Sequence, residues 1–242
     1  MFDFLKKKVT IPALLTDIHS HLIPGIDDGA QSIEESLTLL RALQKLGYTQ
    51  VITTPHIMFD AYGNTKTSIR EGLQILQDVA QKQNIHLKID AAAEYYLDEG
   101  LLPLIQKKDL LLIDQKYLLF ETSYTHRPQQ LEEIIFEILA AGYIPLLAHP
   151  ERYRYIEEIS EFQTIKDLGV EFQVNINSFN GYYGSSAKKN ALALSQQGMI
   201  NFLGSDTHNI KQVENLSLVF KSKAYKEIYI NNTIKNQFLT VS

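Results

Sequence analysis

Ile144-Pro145-Leu146-Leu147-Ala148-His149 is apolar at five successive positions and then ends on an imidazole. A strand with one solvated face alternates polar and apolar residues. An unbroken apolar run suits a parallel strand covered on both faces. Six further runs of strand length lie near Leu14 to His19, Gln50 to His56, Leu87 to Glu94, Tyr117 to Glu121, Glu171 to Asn177 and Asn201 to Asp206. Between them the apolar spacing turns helical. The first helix opens at Ser32-Ile33-Glu34-Glu35, which reads as a capping box, carries Ile33, Leu37, Leu40 and Leu43 on one face, and ends at Gly47. Others are expected near residues 65–83, 128–141, 159–168 and 186–197, with Gly142, Gly169 and Gly198 where three of them stop. Strand–helix alternation of this kind gives either a (β/α) barrel or an open doubly wound sheet.

The strand ends carry the chemistry. They finish on His19-Ser20-His21, His56, Glu94, Glu121, His149 and Asp206-Thr207-His208, while the run from Glu171 passes through Asn175 and Asn177. In both architectures the carboxyl ends of parallel strands meet at one face, where active sites are built. A single His-x-His on a strand is commonly structural, and Glu94 after three alanines could be a paired core carboxylate. Their joint placement points to a metal site. Side chains two apart on a strand point the same way, so His19 and His21 can share an ion, as can Asp206 and His208 if both pairs stay extended. His19, His21, Asp28, His56, Glu94, Glu121, His149, Asp206 and His208 make nine candidate ligands, which suits two or three ions. Imidazole and carboxylate donors suit Zn, Mn or Fe. His86 and His126 lie away from strand ends and are not expected to bind metal. Arg152, three residues beyond His149, can grip a phosphate with its planar fork; its ordinary alternative is a surface pair with Glu151 or Glu157. Phe59, Tyr62, Tyr95, Tyr96, Tyr124, Tyr153, Tyr155, Tyr182 and Tyr183 follow the same strand ends and could wall a slot for a flat ring.

Composition narrows the field. The 242 residues, 45% hydrophobic, contain no cysteine, which rules out disulfides, thiolate metal sites and a thiolate nucleophile. The net charge of −5 and the lack of a basic block beyond Lys6 to Lys8 disfavour nucleic acid. No apolar run of about 18 residues is present, so no membrane-spanning helix is expected. The order of apolar and basic residues at the start is unlike a secretory signal, and a cytoplasmic protein is expected. Residues 1–10 read as a mobile tip and 11–242 as one domain, since no Pro/Ser-rich linker interrupts them. No strand is followed by Gly-x-Gly-x-x-Gly or a P-loop pattern, which lowers nucleotide readings.

His19-Ser20-His21-Leu22-Ile23-Pro24-Gly25-Ile26-Asp27-Asp28-Gly29-Ala30 resembles the opening motif of the PHP (polymerase and histidinol phosphatase) superfamily. Its Pro-Gly-x-Asp-Asp-Gly-Ala part is similar to bacterial manganese-dependent protein-tyrosine phosphatases of capsule and exopolysaccharide loci. Thr54-Pro55-His56, His149-Pro150-Glu151-Arg152-Tyr153, Asn177-Ser178-Phe179-Asn180-Gly181 and Gly204-Ser205-Asp206-Thr207-His208-Asn209 match that family's later motifs in order, over roughly residues 15–215. The resemblance implies a distorted (β/α)7 barrel with three divalent metal ions, Mn2+ first and Fe, Zn or Mg as alternatives. His19, His21, Glu94 and Asp206 would hold one ion. Glu94, Glu121 and His149 would hold the second, with Glu94 bridging, and Asp28, His56 and His208 the third. Asp28 is chosen over Asp27 because it matches the family's ligand position. The resemblance also implies hydrolysis of phosphotyrosine in a protein, a tyrosine autokinase controlling polysaccharide export. The expected catalytic groups are Arg152, Asp28 and His208, and the expected nucleophile is a metal-bound hydroxide. The family commonly has a further arginine after the last motif, where this chain has Lys211. The rival readings are a small-molecule phosphatase such as a histidinol-phosphate phosphatase and a non-catalytic metal-binding domain. A metal-dependent amidohydrolase is disfavoured by the lack of a strand-end lysine.

Overall fold

Strand and helix alternate in the computed structural model, which describes residues 13–239; the tip expected over 1–10 lies outside them. The first part runs β1 (Thr16–Asp17), α1 (Ile33–Leu46), β2 (Gln50–Thr53), β3 (His56–Ile57), α2 (Lys66–Lys82), β4 (Lys88–Ala91), β5 (Glu94–Tyr96) and α3 (Leu101–Lys107). The second runs β6 (Tyr117–Glu121), α4 (Leu131–Ala140), β7 (Ile144–Ala148), α5 (Ile159–Asp167), β8 (Glu171–Asn175), α6 (Ser185–Gln196), β9 (Phe202–Gly204), α7 (Ile210–Phe220) and α8 (Lys223–Asn231). Every pairing between these strands is parallel, in the orders β1-β2-β4 and β3-β5-β6-β7-β8-β9.

The seven expected strands thus come out as nine segments among the described residues. The runs 50–56 and 87–94 each break in two. Pro55 has no N–H to give a ladder. Its carbonyl accepts from Glu94 N at 3.1 Å, while Ala93 N turns away to the Leu111 carbonyl at 3.3 Å. The first run is a strand over only two residues. Beyond it, Thr54 N donates to the Ser20 carbonyl (2.7 Å), Asp206 N to that of His19 (2.8 Å) and His21 N to that of Thr207 (2.9 Å). Main-chain bonds therefore join the segment after β1 to the segments after β2 and β9.

The apolar run over β7 is covered on both faces. Leu147 packs with Leu118, Phe120, Phe172 and the helices in one buried cluster. Leu146 and Ala148 point the other way, into a second cluster with Ile18, Ile52, Leu119 and Phe202, drawn from around both sheets. Fully burying a side chain of this size is worth about 1.5–3 kcal/mol. The alternation of β6 and β7 between two apolar cores holds these strands in the sheet, and their parallel pairing puts the carboxyl ends together.

The first helix begins as expected, with Ser32 Oγ accepting from Glu35 N at 3.2 Å. Only half of a capping box forms, because the Glu35 carboxylate reaches back to Gln31 N at 2.8 Å rather than to Ser32. Helices α3, α7 and α8 were not expected. Pro103 sits in the first turn of α3, where its missing N–H costs nothing, and it disguises a short helix as a loop. Helix α7 starts directly after the last ligand motif through a reciprocal cap between Asn209 and Gln212. Among the described residues no helix is long and apolar enough to cross a membrane.

Candidate metal centre

All nine predicted ligands come together. They form four overlapping groups whose donor atoms lie within 4.8 Å of one another: His21, Asp28, His56 and His208; His19, Glu94 and His149; His19, His21 and Asp206; and His56, Glu94 and Glu121. Glu94 is the centre. Its Oε2 is 3.1 Å from His19 Nε2, 3.4 Å from His21 Nε2 and 3.2 Å from His56 Nδ1, and its Oε1 is 2.9 Å from His149 Nε2. His56 and Glu94 are register partners on β3 and β5, which puts them side by side. Glu121 lies 3.1 Å from His56 Nδ1 and 3.7 Å from His149 Nε2. Asp28 Oδ1 closes the outer edge, 3.4 Å from His56 Nε2 and 3.3 Å from His208 Nε2. His86 and His126 are exposed and belong to none of these groups.

Two of the candidate ligands are placed by uncommon backbone. His149 has φ 34° and Asp206 has φ 50°, the left-handed region that residues with a Cβ avoid at a cost of about 1–3 kcal/mol. Both sit just past a strand, and the turn swings the side chain over the mouth. The extended geometry expected from Asp206 to His208 is therefore absent. Asp206 joins His19 and His21, whereas His208 joins Asp28 and His56.

Around the candidate ligands runs a set of orienting groups that sequence reasoning missed. His19 Nδ1 is 2.7 Å from Gln173 Oε1, Gln173 Nε2 donates to Asn175 Oδ1 (2.9 Å), and Asn175 Nδ2 donates to Asp206 Oδ2 (2.6 Å). His21 Nδ1 is 2.8 Å from Asp27 Oδ2, and His208 Nδ1 is 3.0 Å from the Asp206 carbonyl. Each of these oxygens only accepts, so Nδ1 carries the hydrogen, and Nε2 is the nitrogen left to coordinate an ion that displaces its proton. Asp27 and Asp28 thus divide the work, one buried and orienting, the other exposed at the rim. Gly29 allows this fold-back, since a Cβ there would stand 2.3 Å from the His21 carbonyl oxygen. Asp27→Asn is expected to weaken metal affinity by about 10–100-fold without unfolding the chain. Calorimetric metal titration checks this, and unchanged affinity would remove Asp27 from the role.

Arg152 lies at the same mouth. Its Nη1 donates to Asp206 Oδ2 at 2.9 Å, not to Glu151 or Glu157, and its guanidinium is sandwiched between Tyr124 (4.5 Å) and Tyr183 (4.3 Å). Glu151 is instead buried beneath, accepting from Asn175 N (3.0 Å) and Ser178 Oγ (2.6 Å) and pinning the turn that carries Arg152. Arg152, Tyr124 and Tyr183 line a cavity of about 370 Å³ with Asp28, Glu94 and His208. Tyr62 stacks on His56, centroids 5.5 Å apart. Not every expected aromatic lines the slot. Tyr95 and Tyr153 are core, their hydroxyls bonded to Leu111 N and the Ala148 carbonyl. Lys211 is exposed on the first turn of α7.

Residues 15–233 match the family described as capsular polysaccharide synthesis, CpsB/CapC. The chain belongs to that family. It is 33% identical over 199 residues to the tyrosine-protein phosphatase YwqE of Bacillus subtilis (strain 168), covering 81% of this chain and 78% of YwqE. It is 28% identical to the tyrosine-protein phosphatase CpsB of Streptococcus agalactiae, covering 88% and 89% of the two chains. Crystal structures of YwqE from Bacillus subtilis and CpsB from Streptococcus pneumoniae, described as unique metal-dependent tyrosine phosphatases, include a chain that superposes with a TM-score of 0.80 at 29% identity, covering 90% of this chain and 96% of that one.

The electrostatics of this CpsB/CapC chain fit divalent cations. Burial alone pulls the His19 imidazole down, but the Glu94 and Asp206 carboxylates outweigh it and raise it to about 10. His56, buried yet facing Glu94, Asp28 and Glu121, is raised to about 12, and His208, beside Asp28 and Asp206, to about 9. These raised values stabilise the metal-free fold fully below the ordinary imidazole pKa near 6.5, and the contribution is lost as pH climbs through about 9 to about 12. Glu94 Oε2 is the deciding atom: it is buried, with three imidazole nitrogens within 3.4 Å and no hydrogen bond of its own. A buried carboxylate oxygen ringed by imidazoles and bonded to none is a ligand geometry.

Proposed function

We propose that this chain is a metal-dependent protein-tyrosine phosphatase holding three divalent cations, manganese first among Mn, Fe, Zn and Mg. The observation that carries this reading is the convergence of nine candidate ligand residues, the buried Glu94 at their centre, beside an arginine braced by two tyrosines. His19, His21, Glu94 and Asp206 would hold one ion, Glu94, Glu121 and His149 a second, and Asp28, His56 and His208 the third. We further infer that residues 11–242 are one domain and that the strands form a distorted (β/α)7 barrel. The main-chain bonds of His19 and His21 to Asp206 and Thr207 support that closure.

Bound divalent cations supply charge neutralisation for the phosphoryl oxygens and a water acidic enough to be a nucleophile near neutral pH. The chain's residues do the rest. Arg152 offers its fork to the phosphoryl oxygens while its stack between Tyr124 and Tyr183 fixes the fork's plane. A tyrosyl oxygen leaves with a conjugate-acid pKa near 10, so no strong proton donor is required. With no cysteine in the chain, no thiol intermediate is available. A tyrosine autokinase regulating polysaccharide export, met in the cytoplasm, is the partner that suits this family's capsular role.

The test is hydrolysis of a phosphotyrosyl peptide and of histidinol phosphate, before and after exhaustive chelation. Peptide turnover should vanish with the metal, return with manganese, and exceed histidinol phosphate turnover by at least about 100-fold in kcat/KM. Full activity without metal overturns the reading. Faster turnover of histidinol phosphate replaces the substrate, and bound metal without any hydrolysis favours a metal-binding domain.

A further inference from the structure

Beside the metal centre lies an apolar hollow of about 420 Å³, walled by Ile57, Met58, Phe59, Tyr62, Tyr95 and Leu104 among others. None of these residues is a predicted ligand. The hollow is nevertheless built from the strands that carry two of them: Ile57 follows His56 on β3, and Tyr95 follows Glu94 on β5. Tyr62 is a shared wall. One face of its ring stacks on the His56 imidazole at an interplanar angle of 16°, and it lines the hollow as well.

The walls are pinned. Met58 and Tyr62 exchange both backbone hydrogen bonds, at 3.0 and 2.9 Å, and Phe59 N donates to Asp98 Oδ2 at 2.8 Å. Asn64 Nδ2 ties this turn to the metal loops through the carbonyls of Ile26 (2.8 Å) and His56 (2.9 Å). Phe59 is held at the rim with 63% of its surface in water. Rigidly placed apolar surface, continuous with a reaction site, is what a side-chain subsite requires. The rim also carries the carboxylates of Asp98 and Glu99, which repel an acidic segment.

We propose that this hollow is a specificity pocket for a bulky apolar side chain, of the leucine or phenylalanine kind, near the phosphotyrosine in the substrate protein. Only one aromatic ring separates it from a ligand imidazole, so a residue roughly two positions away, about 7 Å along an extended peptide, reaches it. The inference rests on the phosphotyrosine reading and deepens it.

The experiment uses the manganese-loaded full chain and phosphotyrosyl peptides carrying leucine, alanine or glutamate at each flanking position in turn. Leucine should exceed alanine in kcat/KM by roughly 10-fold at one position, with glutamate below alanine there. Phe59→Ala, which removes a wall, and Leu104→Trp, which fills the hollow, should each flatten that preference while leaving phenyl phosphate turnover unchanged. Equal rates at every flanking position, or a leucine preference that survives both variants, overturns the pocket. Loss of phenyl phosphate turnover in the unaltered chain counts against the phosphatase reading instead.

Discussion

Glu94→Gln is expected to lower turnover of a phosphotyrosyl peptide by on the order of 10³-fold, together with most of the bound metal, because about 4 kcal/mol of charge stabilisation goes with the cations. The substitution keeps the side chain's shape, so cavity effects are small. What changes is charge and donor type: one carboxylate oxygen becomes an NH2 that cannot coordinate. That loss falls on two neighbouring groups at once, since Glu94 stands with His19 and His149 and also with His56 and Glu121. A candidate ligand at the rim such as Asp28, exposed and belonging to one group, should matter less. The metal-free proteins separate this from misfolding. Glu94 is the leading charge that raises His19 to about 10 and His56 to about 12, so both imidazoles should titrate lower in the variant while the remaining spectrum stays native. Full metal content and unaltered rate in Glu94→Gln would place the chemistry elsewhere.

How much of this could be read from residues alone follows from the kind of force involved. The apolar run Ile144 to Ala148 announces a strand buried on both sides because burial acts on every position, and Leu146 and Leu147 do enter opposite cores. The strand-end histidines and acids were legible for the same reason: parallel strands bring their ends to one face whatever the details of closure. Local backbone events were not legible. Pro55 splits one run because it lacks an N–H, and the Ala93 break depends on a distant Leu111 carbonyl. The left-handed turns at His149 and Asp206 leave no composition signal, since neither is glycine. Asp27 was passed over because the family's ligand position falls on Asp28, and an adjacent pair of acids does not by itself say which one points inward. Gln173 and Asn175 differ: their spacing of two on β8 puts both side chains on one face, a signal that could have suggested the relay from His19 to Asp206. Tyr95 and Tyr153 mark the opposite error, because tyrosine beside a strand end satisfies a buried hydroxyl as readily as it walls a slot.

Arg152→Ala is expected to reduce kcat/KM for the phosphotyrosyl peptide by about 10²–10³-fold with metal content unchanged. The two readouts separate because Asp206, the residue that Arg152 touches, does not depend on it for placement: Asn175 Nδ2 holds the same oxygen at 2.6 Å, and Asp206 N is bonded to the His19 carbonyl at 2.8 Å. Removing the guanidinium should therefore leave the candidate ligands in place and take away the proposed phosphate fork. Arg152→Lys distinguishes charge from shape. Lysine restores a positive charge but neither the paired donors nor the planar stack on Tyr124 and Tyr183, so recovery should be slight. Substantial recovery would mean that the mouth needs only a cation, and the two tyrosines would then be packing rather than part of a phosphate clamp. Metal loss in Arg152→Ala would show that the Asp206 contact, not phosphate binding, is the reason this arginine stands where it does.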